Sequence, residues 1–201
     1  MIMRPFIVEF LGVPESGKTT SIKLIKDLLE NEGLKVSVVR ESAEMISANI
    51  PKGSWESNLW MRLNTLAMIL EASYTNTNDL ILVDRGNVDA SFWGKLYYNE
   101  GKCSELRYSV LKKMGCLSER FNSDFVIVLT VDVEEAIRRR GGEGRIVTRK
   151  WLEKFKAQLE EFCDEIKGKI IINTTRSCQT ELVDKLKKII LDEYNKYCKN
   201  Q

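Results

Sequence analysis

Histidine is absent from this chain of 201 residues, and its absence narrows the possible chemistry. Catalytic schemes that pair a serine or cysteine nucleophile with a histidine base are excluded, because no imidazole is available. A general base here has to be a carboxylate, a lysine, a tyrosine, a thiolate or water. Any proton transfer by this protein therefore depends on one of those groups.

The cysteines show no pattern that is typical of a disulfide framework or a metal site. They are five in number, widely scattered, and never in CxxC or CxH spacing. Their positions are Cys103, Cys116, Cys163, Cys178 and Cys198. We interpret them as reduced thiols, which indicates a cytoplasmic protein.

Long apolar runs and an excess of charge of one sign are also missing. No apolar stretch approaches the about 18 residues that span a bilayer, and Glu9 interrupts the first apolar run, so neither a membrane partner nor a signal peptide is expected. Lys+Arg 31 against Asp+Glu 29 gives a net charge of only +2, which argues against nucleic-acid binding. The length fits a single domain.

Short β-rich runs alternate with longer helical patterns, which predicts an α/β fold with parallel crossovers. Strands are predicted at 6–12, 35–40, 80–84, 124–131 and 169–173. Most are continuous Val, Ile and Leu runs, as expected for a sheet covered by helices on both faces. Helices are predicted at 54–75, 89–99, 103–121, 132–140 and 148–167, with one more after the first strand and one that closes the chain. The helix at 54–75 is expected to carry Trp55, Leu59, Leu63, Leu66, Ile69 and Leu70 on roughly one face.

Residues 12–19 match G-x-x-x-x-G-K-[ST], with an apolar strand before and a helical pattern after. Glycines let successive backbone N–H groups point at phosphate oxygens, and the following helix adds its positive N-terminal end. Lys18 is expected to bridge the β- and γ-phosphates, and the Thr19 hydroxyl to ligate Mg²⁺. The sequence therefore predicts binding of ATP or GTP. The residues expected to hold the nucleotide are Gly12, Pro14, Glu15, Ser16, Gly17, Lys18, Thr19 and Thr20.

Four segments resemble the P-loop kinases of nucleosides and nucleotides, especially thymidylate-kinase-like and deoxynucleoside-kinase-like enzymes and related small AAA-type ATPase/kinase domains. They are the phosphate loop, VVRESAEM (38–45), ILVDRGNVDASFW (81–93), similar to a D-R-x-x-x-D/S segment, and VDVEEAIRRRGGEGR (131–145). The resemblance covers most of the chain. It implies a P-loop containing nucleoside triphosphate hydrolase fold, a mainly parallel five-stranded sheet with helices on both faces. It further implies ATP and Mg²⁺ as cofactors and a small nucleoside or nucleotide as acceptor.

The resemblance assigns roles to residues that follow the second and third strands. Asp84 is expected to contact Mg²⁺ together with Thr19, and Arg85 to reach an acceptor phosphate or to position the acceptor. Glu41 adjoins the crevice outside the strand ends. It is the candidate general base if the acceptor is a hydroxyl, because the chain has no histidine. The alternative is that Glu41 is solvated and that Asp84 or no base serves, since positioning and electrostatics dominate phosphoryl transfer.

An arginine-rich segment follows the fourth strand. By resemblance, Arg139 and Arg145 match the LID positions best and would stabilise charge on the transferring phosphoryl group. Glycines at 141–144 would let a segment at about 138–149 move as a lid that excludes water. Arg138 and Arg149 are interpreted as surface residues.

Five aromatic residues lie in segments that form the acceptor pocket in these families: Trp55, Trp60, Phe92, Trp93 and Tyr97. A planar base could stack on one or two of them, with Phe92 and Trp55 as the first choice. The chain also departs from both families. Thymidylate kinases have proline and glycines where this chain has residues 42–44, and deoxynucleoside kinases have glutamate and serine where it has Asp84 and Gly86. The acceptor is therefore left open, as is a possible homodimer.

Other functions could use the same loop. A GTPase should carry D-x-x-G and N-K-x-D, whereas the corresponding segments read DRGN and IIINTT. A regulatory or switch-type ATPase without a small-molecule acceptor is one alternative to the kinase. A kinase that acts on an RNA or DNA end is another, although the near-neutral charge disfavours it.

Overall fold

A computed structural model describes residues 4–75, 78–118, 122–144 and 147–200. Within them, five parallel strands form one sheet in the order β2-β3-β1-β4-β5. The strands are β1 (Phe6–Gly12), β2 (Val36–Val39), β3 (Leu80–Asp84), β4 (Phe125–Thr130) and β5 (Lys169–Asn173). The α-helices of the described residues are α1 (Lys18–Asn31), α2 (Trp55–Tyr74), α3 (Asn87–Asn99), α4 (Glu105–Met114), α5 (Val133–Arg140), α6 (Arg149–Cys163) and α7 (Gln179–Lys199). Short 3₁₀ turns occur at Ser42–Glu44 and Gly115–Leu117.

The sheet is covered on both faces, as the apolar strands predict. Side chains of β1 alternate between the faces: Val8 and Phe10 pack with α1 and α7, whereas Ile7 and Leu11 point to the opposite side. That opposite side carries α2, α3 and α6. Every residue of β1, β3 and β4 is buried, so the predicted α/β fold is confirmed.

Helix starts follow from side-chain caps. The hydroxyls of Ser54, Ser104 and Thr148 accept hydrogen bonds from the backbone N–H groups at the first turns of α2, α4 and α6. The long helix predicted at 103–121 is wrong, because α4 begins only after its Ser104 cap and gives way to a 3₁₀ turn at Gly115. The predicted end of α6 is also too late, since that helix ends at Cys163.

The predicted apolar face of α2 is partly wrong. Leu63 and Leu70 are exposed, and the buried side of the helix includes Asn58, Arg62 and Thr65 as well as Leu66 and Ile69. A helix that lines a ligand cavity can turn polar side chains inward, which an apolar pattern does not reveal. No helix in the described parts of the chain is long and apolar enough to cross a membrane.

The carboxyl ends of all these strands meet at one edge of the sheet, because the strands are parallel. In open α/β sheets this edge is where ligands bind. The phosphate loop follows β1, Glu41 follows β2, and Arg85 follows β3. The topology therefore brings together three segments that are far apart in sequence.

Candidate active site

The phosphate loop is held against β4 by a contact that only glycine allows. Gly12 has φ 152°, and a Cβ there would lie 2.0 Å from the carbonyl oxygen of Leu129. The next residue, Val13, donates its N–H to the same carbonyl at 3.0 Å. Gly17 has φ 89° and caps the N-terminus of α1. Tight folding of the loop thus directs the start of α1 at the space where phosphates are expected.

Lys18 is the first residue of α1, and its side chain folds back onto this loop, so that the residue is only 6% exposed. Its Nζ donates to the carbonyl oxygens of Gly12 at 3.1 Å and Val13 at 2.9 Å. Burial and, next, the positive charge of Arg85 lower the pKa of Lys18 to about 8, although nearby carboxylates oppose the shift. A buried ammonium in this position is suited to contact an anionic ligand.

Thr19 and Asp84 form an oxygen pair beside the loop. The Thr19 hydroxyl donates to Asp84 Oδ2 at 2.5 Å, whereas Asp84 Oδ1 is buried and has no hydrogen-bond partner among the described residues. Hydroxyl and carboxylate oxygens are the ligands that Mg²⁺ prefers, and it commonly takes one or two carboxylates together with substrate phosphates. The described residues contain no cluster of three or more His, Cys, Asp or Glu side chains suited to a metal. The pair therefore fits a metal that is shared with a phosphate.

Arg85 and Glu41 pair across the ends of β3 and β2. Arg85 Nε lies 3.1 Å from Glu41 Oε1. Burial alone would lower the pKa of Arg85, but the negative charges of Asp89, Glu41 and Asp84 outweigh that effect and raise the pKa. Arg85 also has φ 62°, in the left-handed region that residues other than glycine seldom adopt. The guanidinium is thus a cation held near the carboxylates of Asp89, Glu41 and Asp84.

Asp89 lies on the first turn of α3 and is 5% exposed. Its Oδ1 has no hydrogen-bond partner among the described residues. Burial raises the pKa of Asp89 to about 7; Arg85 opposes this shift, and the charges of Glu9 and Glu41 reinforce it. The D-R-x-x-x-D/S motif contained Asp89, but no role was predicted for it.

A cavity of about 430 Å³ opens beside these residues. Glu41, Arg85 and Asp89 line it, and α2 contributes Asn58 and Arg62 to its wall. Arg62 is 1% exposed and donates to Ser91 Oγ at 3.2 Å and to Asn87 Oδ1. Burial lowers the pKa of Arg62 to about 10, so that it is charged at neutral pH. Arg62 and Asn58 were not predicted to face the interior, because the apolar pattern of α2 predicts only its apolar residues there.

The structure corrects the choice among the aromatic residues. Trp93 and Tyr97, one helical turn apart on α3, line the cavity together with Trp151. Phe92 instead packs in the core, with ring centroids 5.0 Å from Phe155 and 5.5 Å from Phe162. Trp55, the other first choice, lies under the guanidinium of Arg107 at 4.8 Å and is not part of the cavity wall, nor is Trp60.

A second, polar groove of about 240 Å³ lies on the other side of the phosphate loop. Its lining residues are Glu15, Ser16, Gly17, Thr20, Arg139, Thr174, Ser177, Gln179 and Leu182. The Thr174 hydroxyl donates to the Ser16 carbonyl at 3.1 Å, which fixes the loop to the end of β5. Pro14 is half-buried in the same loop. Most of the predicted nucleotide-binding residues are therefore brought together.

The arginines after β4 separate into two groups. Arg139 is half-buried and donates to the Glu15 carbonyl at 3.1 Å and to the Thr174 carbonyl at 2.6 Å, which places it on the groove and away from the large cavity. Arg138 pairs with Glu135 and Arg149 with Glu134 at the surface, as predicted. Arg145 lies outside the described residues.

The strand order, the phosphate loop and the cavity at the strand ends are those of a P-loop kinase. Two solved structures have the same fold. A thymidylate kinase from Candida albicans is 16% identical, with 95% of this chain and 94% of that chain covered and a TM-score of 0.64. A deoxyadenosine kinase from M. mycoides, with bound dATP, is 17% identical, with 96% and 100% covered and a TM-score of 0.65.

The family follows from a match of the sequence itself. The family model of thymidylate kinase matches residues 10–186, and the chain belongs to that family. It is thus an ATP-dependent phosphotransferase that acts on a small nucleoside or nucleotide. The residues that line the cavity indicate which acceptor it binds.

Proposed function

We propose that the acceptor is an uncharged nucleoside and that one of its hydroxyl groups receives the γ-phosphoryl group of ATP. The observation that carries this proposal is the charge around Arg85. Glu41 Oε1 lies 3.1 Å from Arg85 Nε, and the negative charge of Asp89 also raises the pKa of Arg85. Because Glu41 already balances the guanidinium at close range, an acceptor phosphate would meet repulsion from that carboxylate, whereas a neutral hydroxyl would not.

Glu41 would act as the general base in this reaction. The acceptor hydroxyl donates its proton to the Glu41 carboxylate while its oxygen attacks the γ-phosphorus, and the bond from that phosphorus to the β-phosphate oxygen of ATP breaks to release ADP. Arg85 orients the carboxylate through its ion pair. Lys18 and the backbone N–H groups of the loop hold the phosphates. Mg²⁺, held by Thr19 and Asp84, would supply positive charge to the phosphate oxygens.

The polar groove supports a site for the rest of ATP. It is continuous with the phosphate loop through Glu15, Ser16 and Gly17, and Gln179 and Leu182 form its far side. Arg139 contacts the loop carbonyl of Glu15 from this groove. Its role in stabilising charge during the transfer remains a prediction, as does that of Arg145.

A lid at about 138–149 also remains part of the proposal. Arg140 Nη1 lies 3.3 Å from Glu15 Oε1, and Gly141 and Gly142 both have positive φ values. These contacts link the start of the segment to the phosphate loop. We propose that it closes over bound ATP within a single kinase domain, which would exclude water from the transfer.

The cellular location and the oligomeric state of the enzyme are also proposals. All five cysteines are free thiols, which supports the predicted cytoplasmic location. A homodimer, which the sequence leaves open, is tested by light scattering of the purified protein.

Ligand binding tests the charge argument. We expect wild type to bind a 2′-deoxynucleoside at least about tenfold more tightly than its 5′-monophosphate, because the carboxylates repel the added charge. The variant Glu41→Gln should narrow that ratio and lose nucleoside phosphorylation, while Glu134→Gln at the surface should change neither. Titration calorimetry with the four common deoxynucleosides and their monophosphates measures this affinity ratio for wild type and for each variant. Transfer of label from ATP measures phosphorylation. Tighter binding of a monophosphate to wild type would contradict the proposal.

A further inference from the structure

Glu9 is a buried carboxylate that the proposed reaction does not use. It lies in the middle of β1, is fully buried, and points to the same side of the sheet as Ile7 and Leu11. An ionisable side chain in such a strand is costly unless its oxygens are hydrogen-bonded. Burial raises the pKa of Glu9, and hydrogen bonds oppose that shift. The donors of these hydrogen bonds identify the segment that Glu9 stabilises.

The Glu9 carboxylate accepts four hydrogen bonds, three of them from one short segment. Oε1 accepts from the backbone N–H groups of Gly86 at 2.9 Å and Asp89 at 2.8 Å, and Oε2 accepts from that of Val88 at 3.1 Å. The fourth donor is the Ser123 hydroxyl at 2.6 Å. All three N–H groups belong to the start of α3, where a helix has donors without intrahelical partners.

Glu9 therefore caps α3 from another element of the fold. The residue at the N-cap of α3 is Gly86, which provides no side-chain cap. A carboxylate at this position satisfies the free donors and also interacts favourably with the positive end of the helix. The cap is 77 to 80 residues away in sequence from the groups that it binds.

The segment that Glu9 holds is the one that carries Arg85 and Asp89. Arg85 has φ 62°, a backbone conformation that persists only where its surroundings enforce it. Gly86 is needed for the same contact, since a Cβ there would lie 2.7 Å from Glu9 Cδ and Oε2. The carboxylate of Glu9 and the glycine that follows Arg85 thus fit together as a pair.

We propose that Glu9 is a positioning residue, which fixes the backbone from Arg85 to Asp89 so that both side chains face the acceptor cavity. The inference rests on the proposed function in one respect, namely that this cavity binds the acceptor. Glu9 itself touches neither substrate. A positioning residue of this kind affects turnover through the orientation and position of the Arg85 side chain. A displacement of about 1 Å in a group that contacts the substrate can lower the rate of reaction about 100-fold.

Glu9→Gln tests the proposal, because the amide has the same shape but presents an NH₂ group to donors that need an acceptor. We expect kcat to fall about 100-fold with KM for ATP unchanged, and the amide protons of Gly86, Val88 and Asp89 to exchange faster in hydrogen-exchange NMR. Asp124→Asn is the control, since the Asp124 carboxylate also accepts a backbone N–H, that of Ile7 near the amino end of β1, but holds no residue of the segment from Arg85 to Asp89. That variant should leave kcat and those amides unchanged.

A kinetic double-mutant cycle separates positioning from general stability. If Glu9 acts through Arg85, the loss caused by Glu9→Gln should largely vanish in an Arg85→Ala background, because neighbouring residues of one network are not additive. An equal loss in both backgrounds, or unchanged exchange of the three amides, would overturn the proposal. Should Glu9→Gln fail to fold, Glu9→Asp and Ser123→Ala replace it in the same cycle and the same criteria apply.

The cycle does not depend on which acceptor is correct. It is run with whichever deoxynucleoside or deoxynucleoside 5′-monophosphate the wild type phosphorylates fastest, and hydrogen exchange needs no acceptor. Phosphorylation of a monophosphate would contradict the proposed nucleoside acceptor, yet a collapsed cycle on that substrate would still support Glu9 as a positioning residue.

Discussion

At the residue scale, charges of both signs share a small volume at the end of β3. Arg85 lies between Glu41 and Asp89, and Lys18 is close enough for Arg85 to lower its pKa. Burial is the largest single influence on the pKa of Lys18, Arg85 and Asp89, and the neighbouring charges then oppose or reinforce it. Such clusters of shifted pKa values are typical of functional sites.

Asp89 should make the stability of the protein depend on pH in a particular direction. Its pKa is raised to about 7 in the folded protein from 3.8, so the native state binds a proton more readily than the unfolded state over that range. Ionisation of Asp89 therefore lowers stability as pH rises from about 4 to 7. The isosteric variant Asp89→Asn removes this contribution.

We accordingly expect Asp89→Asn to gain stability relative to wild type on going from pH 5 to pH 8. Urea unfolding of both proteins at the two pH values measures the difference. Parallel pH dependences for the two proteins would show that Asp89 ionises in the folded state as readily as in the unfolded chain.

At the element scale, the phosphate loop depends on close contact between β1 and β4. Gly12→Ala would put a Cβ 2.0 Å from the Leu129 carbonyl oxygen, so the two strands would have to separate. We expect a loss of several kcal/mol in unfolding free energy, or failure to fold, as for other severe steric changes. Gly33→Ala is the control, because Gly33 also has positive φ but no atoms within 4 Å of its Cβ position.

Thermal and urea unfolding of the two glycine variants decide this prediction. Backbone strain alone should cost Gly33→Ala about 1 kcal/mol. Equal losses for Gly12→Ala and Gly33→Ala would mean that contact with β4 does not constrain the loop.

Elements whose signals are local in sequence could be predicted, whereas those that depend on distant residues could not. β1, β3 and β5 coincide with the predicted runs. β1 and β3 are fully buried parallel strands, which are apolar almost throughout, whereas β5 is an apolar run of which only Ile172 is buried. The start of α3 was predicted two residues late, since its cap is Glu9 on a distant strand. Similarly, the neighbouring aromatic residues of α3 differ in position, because Trp93 lines the cavity whereas Phe92 is buried in the core against Phe155.

At the scale of the whole molecule, the strand order places a large cavity and a polar groove, the two proposed binding sites, near the carboxyl ends of the strands. The motif residues that surround the phosphate loop were predictable, because their spacing is local. Arg62 and Glu9 were not assigned roles, because their partners lie 25 to 114 residues away along the chain. The apolar run of β1 did contain a signal in retrospect: a single glutamate inside a buried strand indicates a buried hydrogen-bond network.

The acceptor is the central claim, and transfer of label from [γ-³²P]ATP with Mg²⁺ tests it most directly. The panel contains the common nucleosides and deoxynucleosides, their 5′-monophosphates, a 5′-hydroxyl oligonucleotide and a control without acceptor. We predict labelled nucleoside monophosphate from one or more nucleosides, and none with Lys18→Ala. Labelled nucleoside diphosphate as the main product would contradict the nucleoside acceptor, and ATP loss that is indifferent to every acceptor would indicate a switch ATPase instead.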